Sequence, residues 1–307
     1  MNRSRAKHPV AMAMFDDQLK KVREGSGFIA ALDQSGGSTP KALREYGIPD
    51  DAYDDEATMF DLVHQMRSRI ISNPAFDHRI LGAILFEATM ERQVEGMQTA
   101  AYLWKQKQIV PFLKVDQGME KERDGVQLMK EMDRLEHLLK RANEEGVFGT
   151  KMRSVVKEAN PAGIKAIVSQ QFDYAHRICA AGLVPIIEPE VDINSPTKGE
   201  AEKLLRDEIL SHLDGLDEKE LVMLKLSLPN EPGFYEPCRI HKNVVRVVAL
   251  SGGYDRHEAN VLLAKNPKII ASFSRALLEG LTAQQSDEEF TAVLNDSIES
   301  IYQASVT

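Results

Sequence analysis

Cysteine is scarce in this chain: Cys179 and Cys238 are the two among 307 residues. Their separation matches no metal spacing and one possible pair makes no disulfide framework, so a reducing compartment is expected. Cys179 falls on the apolar face of a helical pattern and reads as core. Positive charge is also short, since 38 Lys and Arg against 47 Asp and Glu leave a formal charge of −9. That balance argues against nucleic acid or a membrane surface as partner, while leaving room for a small basic pocket that attracts an anionic metabolite. No run of about 18 apolar residues occurs, so no membrane-spanning helix is expected. The basic start and VAMAMF are followed by Asp16 and Asp17 without a small-residue cleavage site, which reads as helix and not as signal peptide. The expected location is the cytoplasm. The eight histidines, at positions 8, 64, 78, 137, 176, 212, 241 and 257, all fall in helical patterns, loops or the tail. A metal site at strand ends would lack its usual ligands, so neither a metal nor an organic cofactor is expected.

What the chain does have is apolar runs. A hydrophobic content of 43% over this length can bury a large core. The informative run is LVMLKLS (221–227), bounded by a charged segment and by Pro229, which reads as a buried strand of a parallel sheet. Lys225 interrupts it. One reading is a stem lying along apolar surface with its ammonium reaching water or a carboxylate. The other is an amine held partly neutral by burial, a nucleophile able to form a Schiff base with a carbonyl.

Seven further runs accompany it: GFIAALDQSGGS (27–38), LGAILFE (81–87), IVPFLKVD (109–116), FGTKMR (148–153), VPIIEPEV (184–191), VVRVVALSGG (244–253) and IIASFSRAL (269–277). Helical patterns separate most of them, among them 56–72, 126–139 and the stretch carrying Ile164, Ile167, Val168, Phe172 and Cys179. No turn short enough for a hairpin joins any two runs. Parallel strands need such crossovers, and eight units close into a single (β/α)8 TIM barrel spanning 1–307. An N-terminal helical segment (1–25) and a C-terminal helix (286–307) remain as additions. In such barrels chemistry sits at the C-terminal strand ends.

The strand ends are charged: Asp33, Glu87, Lys114 with Asp116, Lys151 with Arg153, Glu188 with Glu190, Lys225 with Ser227, and Arg275. Residues two apart share a face, and the flanking Phe112, Ile187, Leu224 and Leu226 are read as the helix-facing register, so the charges point inward. Singly, each is a solvated end or a structural ion pair. Together, three lysines converging with carboxylates supply what a Schiff-base site needs: desolvation and neighbouring cations to free the amine, and acids to move protons. A GG pair alone is usually a turn. Here SGG (251–253) with Arg275 lies where barrels often bind phosphate, and SGGS (35–38) with Lys41 at a helix start would be a second anion site. A cavity with an anion site on either side of a lysine suits a substrate phosphorylated at both ends.

These residues resemble the class I (Schiff-base, metal-independent) fructose-1,6-bisphosphate aldolases, in the shorter form found in some bacteria. The likeness runs over nearly the whole chain through GFIAALDQSGGSTPKAL, GAILFE, PFLKVDQG, GTKMRS, VPIIEPEV, LVMLKLSLP, VVRVVALSGGY and ASFSRAL. The resemblance implies that Lys225 forms the iminium, that Glu188 is the acid/base of carbinolamine formation and dehydration, and that Glu190 and Lys151 lie beside it. Asp33 would take the C4 hydroxyl proton, with Lys114 next to it. Ser251, Gly252, Gly253 and Arg275 would hold one phosphate; Ser35, Ser38 and Lys41 would lie near the other, and Arg153 joins the substrate-binding set. Longer, animal-type members carry an arginine after the lysine matching Lys41, where this chain has Ala42, with Arg44 two further on. They also end in a tail whose final tyrosine moves protons, whereas this sequence stops at Thr307. Tyr302 reads as helix packing, which leaves enamine protonation to another group or to water. The expected activity is reversible aldol cleavage of fructose 1,6-bisphosphate, with a homo-oligomer as the assembly common in the family. A Schiff-base barrel for another sugar phosphate, such as tagatose 1,6-bisphosphate, and a non-catalytic phosphosugar- or partner-binding barrel are the alternatives.

Overall fold

A computed structural model describes residues 9–34 and 38–307. The eight apolar runs form eight parallel strands: β1 (Phe28–Leu32), β2 (Ile80–Leu85), β3 (Val110–Lys114), β4 (Gly149–Val156), β5 (Val184–Val191), β6 (Val222–Ser227), β7 (Val244–Leu250) and β8 (Ile270–Ala271). They pair in chain order. The Ala31 N–H donates to Phe273 C=O at 3.2 Å and closes β1 against the end of β8. The fold is therefore the expected α/β barrel.

Alternation along each strand separates two apolar layers. Phe28, Ala30 and Leu32 face the helices, while Ile29 and Ala31 fill the barrel, which turns Asp33 inward. Leu224, Leu226 and Ile187 lie in the helix-facing layer as expected, but Phe112 does not. It shares the register of Lys114 and enters the interior, where Gly82 and Gly149 make room: a Cβ on either would come within 2.8 or 3.0 Å of its ring. The floor of the barrel is covered by α1 (Pro9–Glu24), whose Phe15, Leu19 and Val22 pack under Phe112 and Phe148. No helix among the described residues is long and apolar enough to cross a membrane.

Several boundaries differ from the sequence reading. The helix expected over 126–139 is Leu135–Glu144; Val126–Gln127 instead pairs antiparallel with the end of β4, and Gln170 bonds both backbone groups of Met129 at 2.9 Å. Those bonds satisfy the Met129 backbone without a helix. A short hairpin, Gln93–Val94 with Met97–Gln98, sits inside one crossover and turns on Glu95 and Gly96, both at positive φ. Glu87 starts a short helix, Glu87–Met90, and pairs with Arg134 and Arg141 outside the barrel mouth. Arg275 does not end β8 but opens another short helix, Arg275–Leu278, because the chain leaves strand geometry at Ser274.

The ladder between β5 and β6 is short for strands of their length. Their ladder has two pairs, Ile186 with Met223 and Ile187 with Leu224, whereas β4 and β5 stay in register from Gly149–Val184 to Val156–Val191. The cause is in the sequence. Val184 and Asp192 donate their N–H groups towards β4, so odd-numbered residues between them face β6. Pro185 and Pro189 occupy two of those positions and have no N–H to give.

Arg246 on β7 reaches the C-terminal end of α1, where Nη1 donates to the carbonyls of Arg23 (2.9 Å), Gly25 (3.2 Å) and Val22 (3.4 Å). These carbonyls lack intrahelical donors. Replacing Arg246 by Met is expected to lower the unfolding free energy by about 1–2 kcal/mol in a urea titration, because charge-assisted bonds to partly exposed acceptors are lost. Catalytic turnover should persist, since the contact lies at the opposite end of the barrel from the charged strand ends.

Candidate active site

The inward register and the strand ends together form a cavity of about 820 Å³ at the C-terminal mouth of the barrel. Every described candidate residue lines it: Asp33, Ser38, Lys41, Lys114, Lys151, Arg153, Glu188, Glu190, Lys225, Ser251, Gly252, Gly253 and Arg275. Ser35 lies outside the described residues. Ser227 is absent from the lining although alternation places it beside Lys225; its hydroxyl is turned into the β5–β6 seam.

At the centre four charges alternate. Asp33 Oδ2 lies 2.6 Å from Lys151 Nζ, Lys151 Nζ lies 3.0 Å from Glu188 Oε2, and Glu188 Oε1 lies 3.4 Å from Lys225 Nζ. None of these side chains is more than 8% exposed, so water does little of the charge stabilisation and the partners must do it. Burial disfavours the Asp33 anion, yet the ammonium groups of Lys151 and Lys225 outweigh it and hold the carboxyl at about 2. Glu188 is likewise disfavoured by burial and held below the ordinary carboxylate range by Lys151, Lys225 and Arg153. Burial alone would lower Lys151, but Asp33 and Glu188 push it well above the ordinary lysine value. Glu188 Oε2 has no hydrogen bond of normal geometry despite the nearby ammonium, so a lone pair remains open.

Two further pairs flank this chain. Lys114, implied to lie next to Asp33, bonds Asp116 instead at 2.7 Å and acts on Asp33 only through longer-range attraction. Asp116 Oδ2 also accepts the Arg153 N–H, at 3.2 Å, and so ties β3 to β4. Arg153 Nε donates to Glu190 at 2.6 Å. Each central cation thus has its own carboxylate, so the neighbouring cations that the sequence reading expected to free the amine are themselves paired.

The phosphate-binding candidates sit at the rim. Gly252 and Gly253 adopt φ of +64° and +116°, and a Cβ on Gly252 would meet Ile193 at 2.8 Å. Only glycine suits that turn. The Arg275 guanidinium stands over it, 3.8 Å from the place of a Gly253 Cβ. Across the mouth, Lys41 and Ser38 lie on α2 (Ser38–Glu45), where Lys41 makes one loose, exposed contact of 3.7 Å with Glu45. Ala42 lines the cavity, and Arg44 is turned away onto Asp50 at 2.8 Å, so it does not replace the missing arginine.

Sequence reasoning missed Gln34 and Arg67. Gln34 links the end of β1 to Ser274, and its carbonyl accepts a bond from Arg67. Arg67, on α3 (Glu56–Ser72), is 1% exposed and also donates to Thr89 at 2.8 Å. Its signal was an arginine inside the apolar stripe of Met59, Val63, Met66 and Ile70. Tyr302 packs against the outer apolar layer, as expected.

A (β/α)8 barrel with buried, carboxylate-paired lysines at its strand ends and glycine-rich anion turns at its rim has the build of a lyase that works through covalent amine chemistry. Residues 16–223 match the sequence profile of fructose-bisphosphate aldolase class I, a stretch that ends just before Lys225. A curated relative from Synechocystis sp. (strain ATCC 27184 / PCC 6803 / Kazusa), fructose-bisphosphate aldolase class 1, is 60% identical over 292 residues, covering 95% of this chain and 97% of its own. The chain belongs to the class I fructose-bisphosphate aldolases, a family of Schiff-base lyases. Among solved structures, the Plasmodium falciparum fructose-bisphosphate aldolase, crystallised with TRAP and a small-molecule inhibitor, superposes with a TM-score of 0.75 at 22% identity, covering 99% of this chain and 97% of that one. A Corynebacterium glutamicum protein superposes at 0.55 with 11% identity, covering 97% of each chain. Both show the fold.

The depressed Asp33 has a consequence for acid stability. Its folded value of about 2 lies below the ordinary 3.8, so its contribution is complete above about pH 4 and is lost as the pH falls through about 2. In urea titrations the stability gap between the native chain and Asp33→Asn should shrink by about 2 kcal/mol between about pH 5 and pH 2. A gap that stays constant over that range would contradict the assigned pairing.

Proposed function

We propose that this protein catalyses the reversible cleavage of fructose 1,6-bisphosphate to dihydroxyacetone phosphate and glyceraldehyde 3-phosphate, with Lys225 as the Schiff-base nucleophile. The observation that carries the assignment is the contact between the buried Lys225 amine and a Glu188 carboxylate that is itself set against Lys151. Glu188 accepts a proton from the Lys225 ammonium as the amine attacks the C2 ketone. The same carboxyl then returns a proton to the carbinolamine hydroxyl, which leaves as water and yields the iminium. Its Oε1 lies 3.4 Å from the Lys225 Nζ, a separation that must shorten slightly for either transfer. Lys151 remains a cation throughout and stabilises the carboxylate between transfers.

The iminium is an electron sink. As the C3–C4 bond breaks its electrons pass into an enamine, and the C4 hydroxyl proton must leave together with them. Asp33 is the acceptor. Its low pKa keeps it ionised in every molecule at neutral pH, at some cost in basicity. The turn at Ser251, Gly252 and Gly253 with Arg275 holds one phosphate, and Ser38 and Lys41 attract the other. The exposed contact of Lys41 with Glu45 contributes little and leaves the ammonium available to the substrate. Arg153 and Glu190 shape the wall between them, and the cytoplasmic, glycolytic setting is part of the same reading.

The test is borohydride reduction with dihydroxyacetone phosphate followed by peptide mapping. A stable mass adduct is expected on Lys225 and on no other lysine. Lys225→Met should give no adduct and lose at least about a thousandfold in kcat, the usual scale for losing a covalent nucleophile. Full cleavage activity without an adduct would end the Schiff-base assignment.

A further inference from the structure

The two groups that the proposed mechanism brings together sit on different halves of the barrel wall. Glu188 belongs to β5, which is bound along its whole length to β4. Its N–H also donates to Gln171 Oε1 at 3.0 Å, and Gln171 Nε2 donates to Ser154 of β4 at 3.1 Å. Lys225 belongs to β6, which is laddered to β7 through Ser227–Leu250. Between these halves the backbone ladder stops at Ile187–Leu224, immediately below Glu188 and Lys225, because Pro185 and Pro189 cannot donate across the seam.

Above that point one side chain spans the gap. Ser227 Oγ accepts the Val191 N–H at 2.9 Å and donates to the Val191 carbonyl at 2.7 Å. A single hydroxyl thus takes the place of a ladder rung and satisfies both backbone groups of Val191. Ser227 is 2% exposed and does not line the cavity, so substrate does not reach it. Below the charged pair lies a two-rung ladder, above it the Ser227 clasp, and between them Glu188 and Lys225, which belong to no ladder pair of this seam, face each other at 3.4 Å.

We propose that Ser227 is a positioning residue for the aldolase reaction: its hydroxyl clasp on Val191 sets the separation of Glu188 and Lys225 across a seam whose ladder two prolines cut short. The inference rests on the assignment of those two residues to iminium formation. Proton transfer between them needs heavy-atom distances of about 2.6–3.2 Å, and the resting distance is just outside that range. A seam free to open would spend most of its time beyond reach. Geometry errors of about 1 Å in such pairs cost on the order of a hundredfold in rate. The open seam also gives the serine a purpose that an ordinary ladder would make redundant.

Ser227→Ala removes the clasp, and Ser227→Thr keeps the hydroxyl. For Ser227→Ala, kcat for fructose 1,6-bisphosphate cleavage should fall roughly ten- to a hundredfold while KM stays within about twofold, since no substrate contact is lost. Borohydride-trapped adduct at Lys225 should accumulate more slowly by the same factor, and Ser227→Thr should recover most of both. The inference is overturned if Ser227→Ala melts at a lower temperature yet keeps kcat within about twofold of the native chain, which is a purely structural outcome. It is also overturned if Ser227→Thr melts like the native chain but turns over no faster than Ser227→Ala. If Ser227→Ala does not fold, Ser227→Cys is read by the same criteria, being close in volume and a weak donor. Absence of any adduct on the native chain would instead remove the Lys225 assignment beneath the inference.

Discussion

A buried ammonium group in a barrel interior survives only if a carboxylate lies against it. Removing a charge from water costs several kcal/mol, and a single unpaired one is intolerable in a wall of isoleucine, valine and phenylalanine. The order Asp33, Lys151, Glu188, Lys225 answers that constraint by alternation, each inner charge touching two of opposite sign. The arrangement also ranks the groups. Lys151, between two carboxylates, is fixed as a cation, and Asp33 is fixed as an anion. Lys225 stands at the end with one partner, Glu188, at the longest of the three distances. The proposed chemistry acts at that end of the row.

The backbone makes this order possible. In a closed parallel barrel, alternate residues of every strand face one interior, so charges from four strands meet without any loop having to fold inwards. Phe15, Phe112 and Phe148 fill the lower interior and leave the upper layer to the ionic groups. The prolines of β5 then loosen the one seam across which the proposed nucleophile and its proton partner face each other. Two side chains take up N–H groups of β5 that the ladders leave: Gln171 accepts that of Glu188 on the β4 side, and Ser227 that of Val191 on the β6 side.

Much of this was legible in the sequence because it depends on periodicity. Eight apolar runs separated by amphipathic segments specify the barrel, and pairs of charges two residues apart identify the face they share. Features that depend on what a side chain meets across space were not legible. Phe112, two residues before Lys114, belongs by alternation to the inward face, but an aromatic ring there is credible only because Gly82 and Gly149 clear a space for it. Glu87 and Arg275 sit at the ends of apolar runs, but the chain turns into short helices there, which alternation cannot foresee. The helix begun too early, at 126, fails because Gln170 supplies the Met129 bonds from another element. Arg67 stands in the apolar stripe of α3, so its burial was legible, but its partners, the Gln34 carbonyl and Thr89, lie on other elements. The β5 prolines were visible throughout, but their effect needs the direction of each N–H, which only the pairing with β4 supplies.

The central claim is that bond cleavage proceeds through an iminium on Lys225, and the carbonyl oxygen of the ketone records it. Forming an iminium expels that oxygen as water, and hydrolysis restores it from solvent. Dihydroxyacetone phosphate labelled with oxygen-18 at C2, incubated with the enzyme, should therefore lose its label faster than its spontaneous hydration allows, and Lys225→Met should reduce the loss to that background. Turnover of fructose 1,6-bisphosphate with the C2 oxygen retained in dihydroxyacetone phosphate would contradict the account.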